Sequence, residues 1–153
     1  SLARAYNLIS SSSGRQPSAG IDASALYLPK RFFGAGRKAE EGGSLTVLAS
    51  VLSGTSSNLD EMLIQELQGG STSEIYLCQK TAEARLLPAI DIEKSQTRNE
   101  EGLNSPEEQL QIQGLRAELR EANAKETGVS GLQLLLEKIR STEDNSSLLE
   151  TYS

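Results

Sequence analysis

The feature that most constrains the fold is a nearly continuous apolar run, SLTVLASVL, at residues 44–52. A pair of glycines precedes this run and a polar stretch follows it. An apolar run of strand length without alternation is typical of a strand covered on both faces, as in a parallel sheet. Two further strands are predicted at residues 74–79 and 86–92, with helical segments between the three. The sequence therefore predicts an α/β fold with a mostly parallel sheet and flanking helices.

Helices are predicted on both sides of these strands. In the first part of the chain they cover residues 2–9, residues 22–41 with Asp22 as N-cap, and a segment that begins near Asp60. After residue 104 the pattern is helical only, starting with the capping sequence SPEE at residues 105–108. We therefore predict two domains, an α/β part at residues 1–103 and a helical layer at residues 104–153.

Within the helical layer, a second helix is predicted at about residues 131–141 because four apolar residues recur there on one face. Residues 142–153 are polar and are expected to form only a weak, frayed final turn.

The composition excludes several kinds of site. The chain of 153 residues has no histidine and one cysteine, Cys78. A zinc site built from cysteine and histidine, a Cys–His nucleophile pair and an internal disulfide framework are therefore excluded, and no metal site is predicted. No apolar run reaches the roughly 18–20 residues that span a bilayer. We expect a reducing, cytoplasmic setting and no membrane partner.

The charge is unevenly distributed along the chain. The net charge is −6, but residues 1–43 hold six basic and three acidic groups. The remainder is strongly acidic, with nine basic and eighteen acidic groups. Binding of nucleic acid over the whole surface is therefore disfavoured, whereas a local site in the first third of the chain is compatible with these charges.

One glycine- and serine-rich segment in that basic third, SGRQPSAG at residues 13–20, is predicted to be a loop. Gly14 and Gly20 allow a ligand backbone to approach closely, Arg15 supplies a positive charge and Ser18 a hydroxyl. Such a loop is suited to hold a phosphodiester backbone without reading bases. It is equally compatible with a mobile surface connection.

Two arginines flank the segment LLPAIDIEKSQT, Arg85 before it and Arg98 after it. The guanidinium group is always charged, and its planar fork of donors fits phosphate oxygens. Arginines at a strand end and its loop are therefore candidates for clamping the phosphates of a nucleotide. The spacing alone is also compatible with two solvated surface arginines.

The sequence resembles the family of bacterial transcription termination factor Rho. The resemblance runs without gaps from residue 2 to about residue 115, and more weakly beyond. It is carried by the segments LARAYN, SGRQPSAGIDASAL, PKRFFGAGRKAEEGGSLTVLASVL, LDEMLIQEL, AEARLLPAIDIEKSQTR and SPEEQLQIQGLR. The PAID…TR element also occurs in catalytic subunits of rotary ATP synthases and in flagellar and type III export ATPases. A RecA-like ring ATPase of that kind is the alternative.

The resemblance implies a fold and an activity. Rho is a homohexameric, RecA-like (P-loop NTPase type) ATPase that pulls RNA through its central pore and acts on transcription complexes with RNA polymerase. This chain would supply the C-terminal part of the motor, and its sheet would be a partial RecA-like one. ATP and Mg²⁺ would be bound mainly by a phosphate-binding loop and an acid that precede Ser1 in the family. The isolated chain is therefore expected to be inactive.

Roles for individual residues follow from the same resemblance. Arg98 matches the arginine finger that enters the ATP site of the neighbouring subunit, and Arg85 matches a second arginine at that nucleotide-binding interface. The first pore loop matches residues 14–20 and the second matches residues 54–60. The residues expected to contact RNA are Gly14, Arg15, Gln16, Ser18, Gly20, Thr55 and Asn58.

The sequence departs from the family in the second pore loop, where Asn58 stands in place of an RNA-gripping lysine. Asparagine can hydrogen-bond a phosphate or a 2′-hydroxyl but releases no counterion. A divergent or truncated Rho-like subunit that assembles without translocating is therefore a second alternative.

Overall fold

A computed structural model of the protein describes residues 2–11, 23–125 and 130–152. The chain divides into two compact units, one ending at Ser71 and the other beginning at Thr72. The domain boundary expected between residues 103 and 104 stays a prediction.

The first unit is built around three helices. Its elements are α1 (Leu2–Ser11), a 3₁₀ segment (Ala23–Leu26), α2 (Tyr27–Phe33), β1 (Arg37–Lys38), β2 (Ser44–Leu45) and α3 (Asn58–Gln68). Ala3, Leu26 and Leu63 form the buried core, and Leu59 and Met62 pack against it. The core therefore joins α1, the 3₁₀ segment and α3, but Leu2 and Ile9, which the apolar periodicity of α1 places on its core face, are exposed.

The helix predicted at residues 22–41 is shorter in the structure, because α2 ends at Phe33. The amide of Gly34 still donates to Lys30 O at 2.9 Å, and the amide of Gly36 donates to Phe33 O at 3.2 Å. The Gly34-Ala35-Gly36 sequence ends the helix before the predicted end at residue 41, since glycine is a poor helix former. Asp22, the predicted cap, lies outside the described residues.

The apolar run at residues 44–52 also differs from its prediction. Only Ser44–Leu45 is a strand, and it pairs antiparallel with β1, with Arg37 opposite Leu45. Leu48 is 94% exposed, and Val51 and Leu52 are exposed as well. A strand is buried by neighbours on both edges and layers on both faces, and β1 is its only ladder partner among the described residues.

In the second unit the strands predicted at residues 74–79 and 86–92 do not form as expected, because the first is reduced to residues 73–74 and its ladder partner lies at residues 96–97. The first elements of this unit are β3 (Ser73–Glu74), α4 (Gln79–Glu83), β4 (Gln96–Thr97) and a 3₁₀ segment (Glu100–Gly102). β3 and β4 are antiparallel, and an isolated antiparallel bridge joins Leu77 to Ile90. In the described part of the chain, then, all strand pairing is antiparallel, in two small sheets, and not the mostly parallel sheet that was expected.

The helical layer follows as α5 (Pro106–Lys125), α6 (Ser130–Ser141) and α7 (Asn145–Glu150). The predicted start of α5 is confirmed, because the Ser105 hydroxyl accepts from the Glu108 amide at 3.2 Å and the Glu108 carboxylate accepts from the Ser105 amide at 2.7 Å. This reciprocal pair is a capping box. Leu119, Leu132 and Leu148 are buried, one from each helix.

The prediction of a frayed final turn is wrong, because α7 is capped and packed. The Asp144 carboxylate accepts from the Ser147 amide at 2.8 Å and from its hydroxyl at 2.9 Å. Beyond the helix, the Tyr152 hydroxyl donates to Glu118, and Lys138 Nζ lies 3.2 Å from the same carboxylate. These contacts tie the end of the chain to α5 and α6. No helix in the described ranges is both long and apolar enough to cross a bilayer.

Candidate functional site

Arg98 lies directly after a short antiparallel ladder that fixes its backbone. β3 and β4 pair Ser73 with Thr97, and the amide of Arg98 donates to Thr72 O at 2.9 Å. The next residue, Asn99, has a left-handed backbone with φ of 53°. The side chain of Arg98 is exposed, while hydrogen bonds hold the backbone on its N-terminal side.

The segment after Arg98 is also anchored. Arg116 Nη2 on α5 lies 2.8 Å from Glu100 Oε2, in the 3₁₀ segment that follows Asn99. The amide of Gly102 donates to Asn99 O at 3.0 Å. The helical layer thus holds the backbone on the C-terminal side of Arg98.

Arg85 stands at the C-terminal end of α4, in a position that usually requires glycine. Its φ is 56°, and its amide donates to Ala82 O at 3.0 Å. The amide of Leu86 donates to Thr81 O at 3.1 Å. These two hydrogen bonds form a Schellman motif, in which the left-handed residue is most often glycine because it has no Cβ. The Arg85 side chain is exposed.

The chain between the two arginines is organised by Asp91. Its Oδ1 accepts from the amides of Glu93 and Lys94 at 3.2 and 3.1 Å, and its carbonyl accepts from the Ser95 hydroxyl at 2.6 Å. Ser95 Oγ in turn accepts from the Tyr76 amide at 3.0 Å. The Leu87–Pro88 peptide bond is cis. Residues 89–98 therefore form one hydrogen-bonded turn, which is joined to the chain just after β3 through the backbone of Tyr76.

The second candidate loop, residues 53–58, is in the first unit and is braced by a buried acid. Thr55 Oγ1 donates to Asp60 Oδ2 at 2.7 Å, and Arg4 Nη2 donates to the same oxygen at 2.6 Å. The amide of Ser57 donates to Thr55 Oγ1 at 3.4 Å. Asp60 is only 4% exposed. The hydrogen bond from Arg4, followed by that from Thr55, holds the pKa of the Asp60 carboxyl below its ordinary value.

Asn58 is the first residue of α3, and its side chain is exposed. Ser57 is the N-cap residue, so Asn58 follows a loop that contains two left-handed residues, Gly54 and Ser56. Of the two predicted RNA contacts in this loop, Asn58 is exposed, whereas the hydroxyl of Thr55 donates its proton to Asp60.

Left-handed non-glycine residues coincide with the candidate segments. In the described ranges they are Ser56, Arg85 and Asn99. One lies in the second loop, one is itself a predicted site residue, and one is adjacent to Arg98. Such residues cost of order 1–3 kcal/mol each and persist where the surrounding structure over-determines them, which is common at functional sites.

The chain is similar to several curated proteins that share one name. Transcription termination factor Rho of Streptomyces coelicolor is 47% identical over 148 residues, which are 97% of this chain and 35% of that protein. Rho of Haemophilus influenzae is 41% identical over 149 residues, with 97% of the chain and 34% of the relative covered. Rho of Escherichia coli is 41% identical over 149 residues, with 97% and 35% covered.

The chain belongs to the Rho family. It matches the C-terminal part of the family and spans about a third of the length of these curated relatives. The family implies an α/β fold. No protein-family model matches the chain.

Several predicted site residues of this Rho-family chain are not described by the structure. Gly14, Arg15, Gln16, Ser18 and Gly20 lie outside the described residues. Arg85 and Arg98 both lie in the second unit, whereas Thr55 and Asn58 lie in the first. Their roles stay predictions.

Sequence reasoning did not find the brace of the second loop. The sequence predicts a helix that begins near Asp60, whereas in the structure Ser57 is the N-cap and Asp60 is the third residue of α3. Arg4 is 56 positions away from Asp60 in the sequence. No local pattern marks a pair so far apart, although an acid in a first helical turn next to a glycine-containing loop is a signal that could have been followed.

The described residues fit phosphate better than metal. No group of three or more histidine, cysteine or acidic side chains within them is placed to hold a metal ion. The exposed guanidinium groups of Arg85 and Arg98 suit phosphate oxygens. These described residues thus offer cations that are suited to phosphate oxygens.

A cavity of about 480 Å³ lies in the second unit and includes Cys78, Asp91, Arg120 and Leu132 in its lining. Cys78 is half-buried and precedes α4, and the hydrogen bond with the Thr81 hydroxyl lowers the pKa of its thiol. The strand predicted at residues 74–79 would include Cys78, but in the structure Cys78 is the N-cap residue of α4.

Proposed function

We propose that the complete natural polypeptide is an RNA-dependent ATPase of the Rho type, which assembles as a hexameric ring, moves along RNA and terminates transcription. The observation that carries this proposal is the identity of 41–47% to Rho proteins across 97% of the chain. The partners are RNA, further copies of the same subunit and the transcribing RNA polymerase, in the bacterial cytoplasm.

In this proposal Arg98 acts on the ATP site of the neighbouring subunit. Phosphoryl transfer spreads negative charge over the transferred group, and an arginine supplied in trans stabilises that charge. The exposure of Arg98 and the hydrogen bonds on both sides of it support this role. A pre-positioned cation loses little freedom when the transition state forms, and this favours catalysis.

Arg85 serves the same interface by contacting the phosphates of the bound nucleotide. Its left-handed backbone supports this role, since an arginine in place of glycine at the end of α4 costs stability. Local folding gives no reason for this loss of stability, but a contact between the Arg85 side chain and the nucleotide phosphates would account for it.

The RecA-like parallel sheet is part of the proposal. Leu48, Val51 and Leu52 are exposed in the apolar run after β2. A strand sequence of this kind is stable when neighbours cover it. The portion of the Rho relatives that this chain does not match is long enough to supply such neighbours.

The loops at residues 14–20 and 54–60 contact the RNA backbone in this proposal. Contacts to phosphate and sugar position a strand without reading its sequence. Asn58 is exposed at the start of α3, and its amide is suited to hydrogen-bond a phosphate oxygen or a 2′-hydroxyl. Arg15 would supply positive charge in the first loop.

ATP bound with Mg²⁺ supplies the transferable phosphoryl group and the bond whose cleavage drives movement. The residues of this chain contribute cations from Arg85 and Arg98, and the 153 residues alone are expected to be inactive.

A second candidate is a Rho-like subunit that assembles but does not translocate. Asn58 favours it, because the loss of a lysine removes a charge that releases counterions from the RNA. Coupling between hydrolysis and RNA movement would then be weak. The alternative of a ring ATPase that moves protein or protons is disfavoured by the identity to Rho along the chain.

The test is ATP hydrolysis by the complete natural polypeptide with and without single-stranded poly(C). We expect hydrolysis to rise at least about tenfold with RNA, which corresponds to a decrease of about 1.4 kcal/mol in the activation free energy. Hydrolysis that is unchanged by RNA would contradict the proposal and leave the non-translocating subunit. The variant Asn58→Lys then separates the two, since it should restore RNA stimulation only in that second case.

A further inference from the structure

The buried carboxylate of Asp60 joins two segments that are far apart in the sequence. Its Oδ2 accepts one hydrogen bond from Arg4 on α1 at 2.6 Å and one from Thr55 in the second loop at 2.7 Å. Asp60 itself is on α3. One oxygen atom therefore connects α1, the loop and α3, and we call Arg4, Thr55 and Asp60 the loop brace.

The loop brace acts on a strained piece of backbone. Ser56 has φ of 54°, and Gly54 has φ of 69°. Thr55 lies between them, and its hydroxyl oxygen also accepts from the amide of Ser57 at 3.4 Å. A left-handed serine is costly and persists only when its neighbours hold it. The two hydrogen bonds of the Thr55 hydroxyl span this residue and hold the loop in its observed path.

Arg4 also changes the electrostatic potential at the loop, because its charge is opposite to that of Asp60. The Arg4 side chain is 45% exposed, whereas the Asp60 side chain is 5% exposed. Arg4 therefore compensates the charge of a carboxylate that is almost removed from water. A negative carboxylate beside a loop that faces phosphates would also repel them, and Arg4 neutralises that charge. Removal of Arg4 alone would leave an unpaired acid next to the RNA path.

We infer that the loop brace is a positioning device for RNA, in which Arg4 and Asp60 hold Thr55 so that residues 54–58 present Asn58 and the loop backbone to a single-stranded RNA. The inference rests on the proposed function, because it assumes that this loop meets RNA. Arg4 and Asp60 are positioning residues, which act through the loop and not on the reacting atoms.

The experiment measures RNA-stimulated ATP hydrolysis of the complete natural polypeptide over a range of poly(C) concentrations. Arg4→Met should raise the poly(C) concentration for half-maximal stimulation by about tenfold. The turnover at saturating RNA should stay within about twofold, because the loop still closes on RNA once it is bound. Arg140→Met, at an exposed arginine on α6, is the matched control and should change neither quantity.

A double variant tests whether the unpaired charge of Asp60 causes the loss. Arg4→Met combined with Asp60→Asn removes both charges, so it should recover most of the RNA affinity lost in Arg4→Met. Arg4→Met leaves the buried Asp60 carboxylate without its charged partner and should lower the thermal unfolding midpoint, which Asp60→Asn should partly restore. RNA affinity is therefore measured well below the midpoint of every variant, where each protein is folded.

Thr55 gives an independent test if Arg4→Met folds poorly. Thr55→Val removes the hydroxyl and should raise the half-maximal poly(C) concentration severalfold, whereas Thr55→Ser should retain the wild-type value. If Arg4→Met and Thr55→Val leave that concentration unchanged while the wild type is stimulated by RNA, the loop brace is overturned and the proposed function stands. A wild type that RNA does not stimulate overturns both.

Discussion

Arg85 shows how a single residue can combine a cost to the fold with a proposed role. A left-handed arginine carries about 1–2 kcal/mol of steric strain that glycine would avoid. Glycine would relieve this strain, but it also gives the unfolded chain more conformational freedom, which offsets roughly 0.5–1 kcal/mol of the relief. The two terms differ by little, so the backbone alone gives no reason to retain arginine.

Arg85→Gly should therefore leave the free energy of unfolding unchanged or raise it by up to about 1 kcal/mol, while kcat/KM for ATP falls in the complete natural polypeptide. Urea unfolding and steady-state hydrolysis measure the two quantities. Lys80→Gly, in the right-handed interior of α4, is the matched control and should cost about 1 kcal/mol. Equal destabilisation by both substitutions would show that Arg85 is not strained.

At the scale of single residues, the sequence was informative where the chemistry of a side chain limits the groups that it can bind. The chemistry of arginine predicts Arg85 and Arg98 as phosphate-binding candidates; both side chains are exposed, and their role stays a prediction. The left-handed conformations of Ser56 and Arg85 were not predictable, because neither residue type favours them. Pairing of Arg4 with Asp60 depends on tertiary packing, which a local pattern does not contain.

The contact between α5 and α6 depends on Gly131 at the start of α6. A Cβ on this residue would lie 2.6 Å from Leu119 O and 2.7 Å from Asn123 Oδ1. The amide of Gly131 also donates to Asn123 Oδ1 at 2.7 Å, and Asn123 Nδ2 donates to Glu93 Oε1 at 2.6 Å. Close approach of the helices thus fixes the turn near Asp91 as well.

Gly131→Ala should lower the free energy of unfolding by about 1–3 kcal/mol, because the helices must separate to admit the methyl group. The urea midpoint measures the change. Gly102→Ala is the control, since a Cβ at Gly102 meets no atom within 4 Å. A Gly131→Ala midpoint equal to that of the control would contradict the close approach.

At the scale of elements, helices were predicted better than strands. Pro106–Lys125 begins at its predicted cap because the capping signal is local in sequence. α7 was missed although Asp144 caps it locally, since much of its stability comes from Leu148 packing and from the contacts of Tyr152 with α5 and α6. The run at residues 44–52 has the composition of a buried strand, but composition does not say which segments pair with it.

At the scale of the whole molecule, the two units carry different parts of the proposed function. The loop at residues 54–60, for which RNA binding is proposed, and its brace are in the first unit, and both candidate arginines are in the second. Apolar side chains are exposed in both, among them Leu48 and Leu77. Exposed apolar residues in this number are typical of surfaces that other segments or subunits cover, as a hexameric RecA-like ring would provide.

The family could be predicted from the sequence because its motifs occur in order along the chain, and the comparison with Rho proteins confirms it. The parallel sheet could not be derived in the same way. A parallel ladder needs crossover connections and neighbouring strands, and the described residues pair only as antiparallel strands.

The most direct test of the account is Arg98→Ala in the complete natural polypeptide, with Arg140→Ala as the control. We measure kcat for RNA-stimulated ATP hydrolysis and, separately, Kd for ATP. The account predicts that kcat falls by about 10³-fold or more and that Kd changes by less than about threefold, because an arginine finger acts on the transition state. A Kd that rises as much as kcat falls would identify Arg98 as a ground-state ligand and contradict its role as a finger in trans.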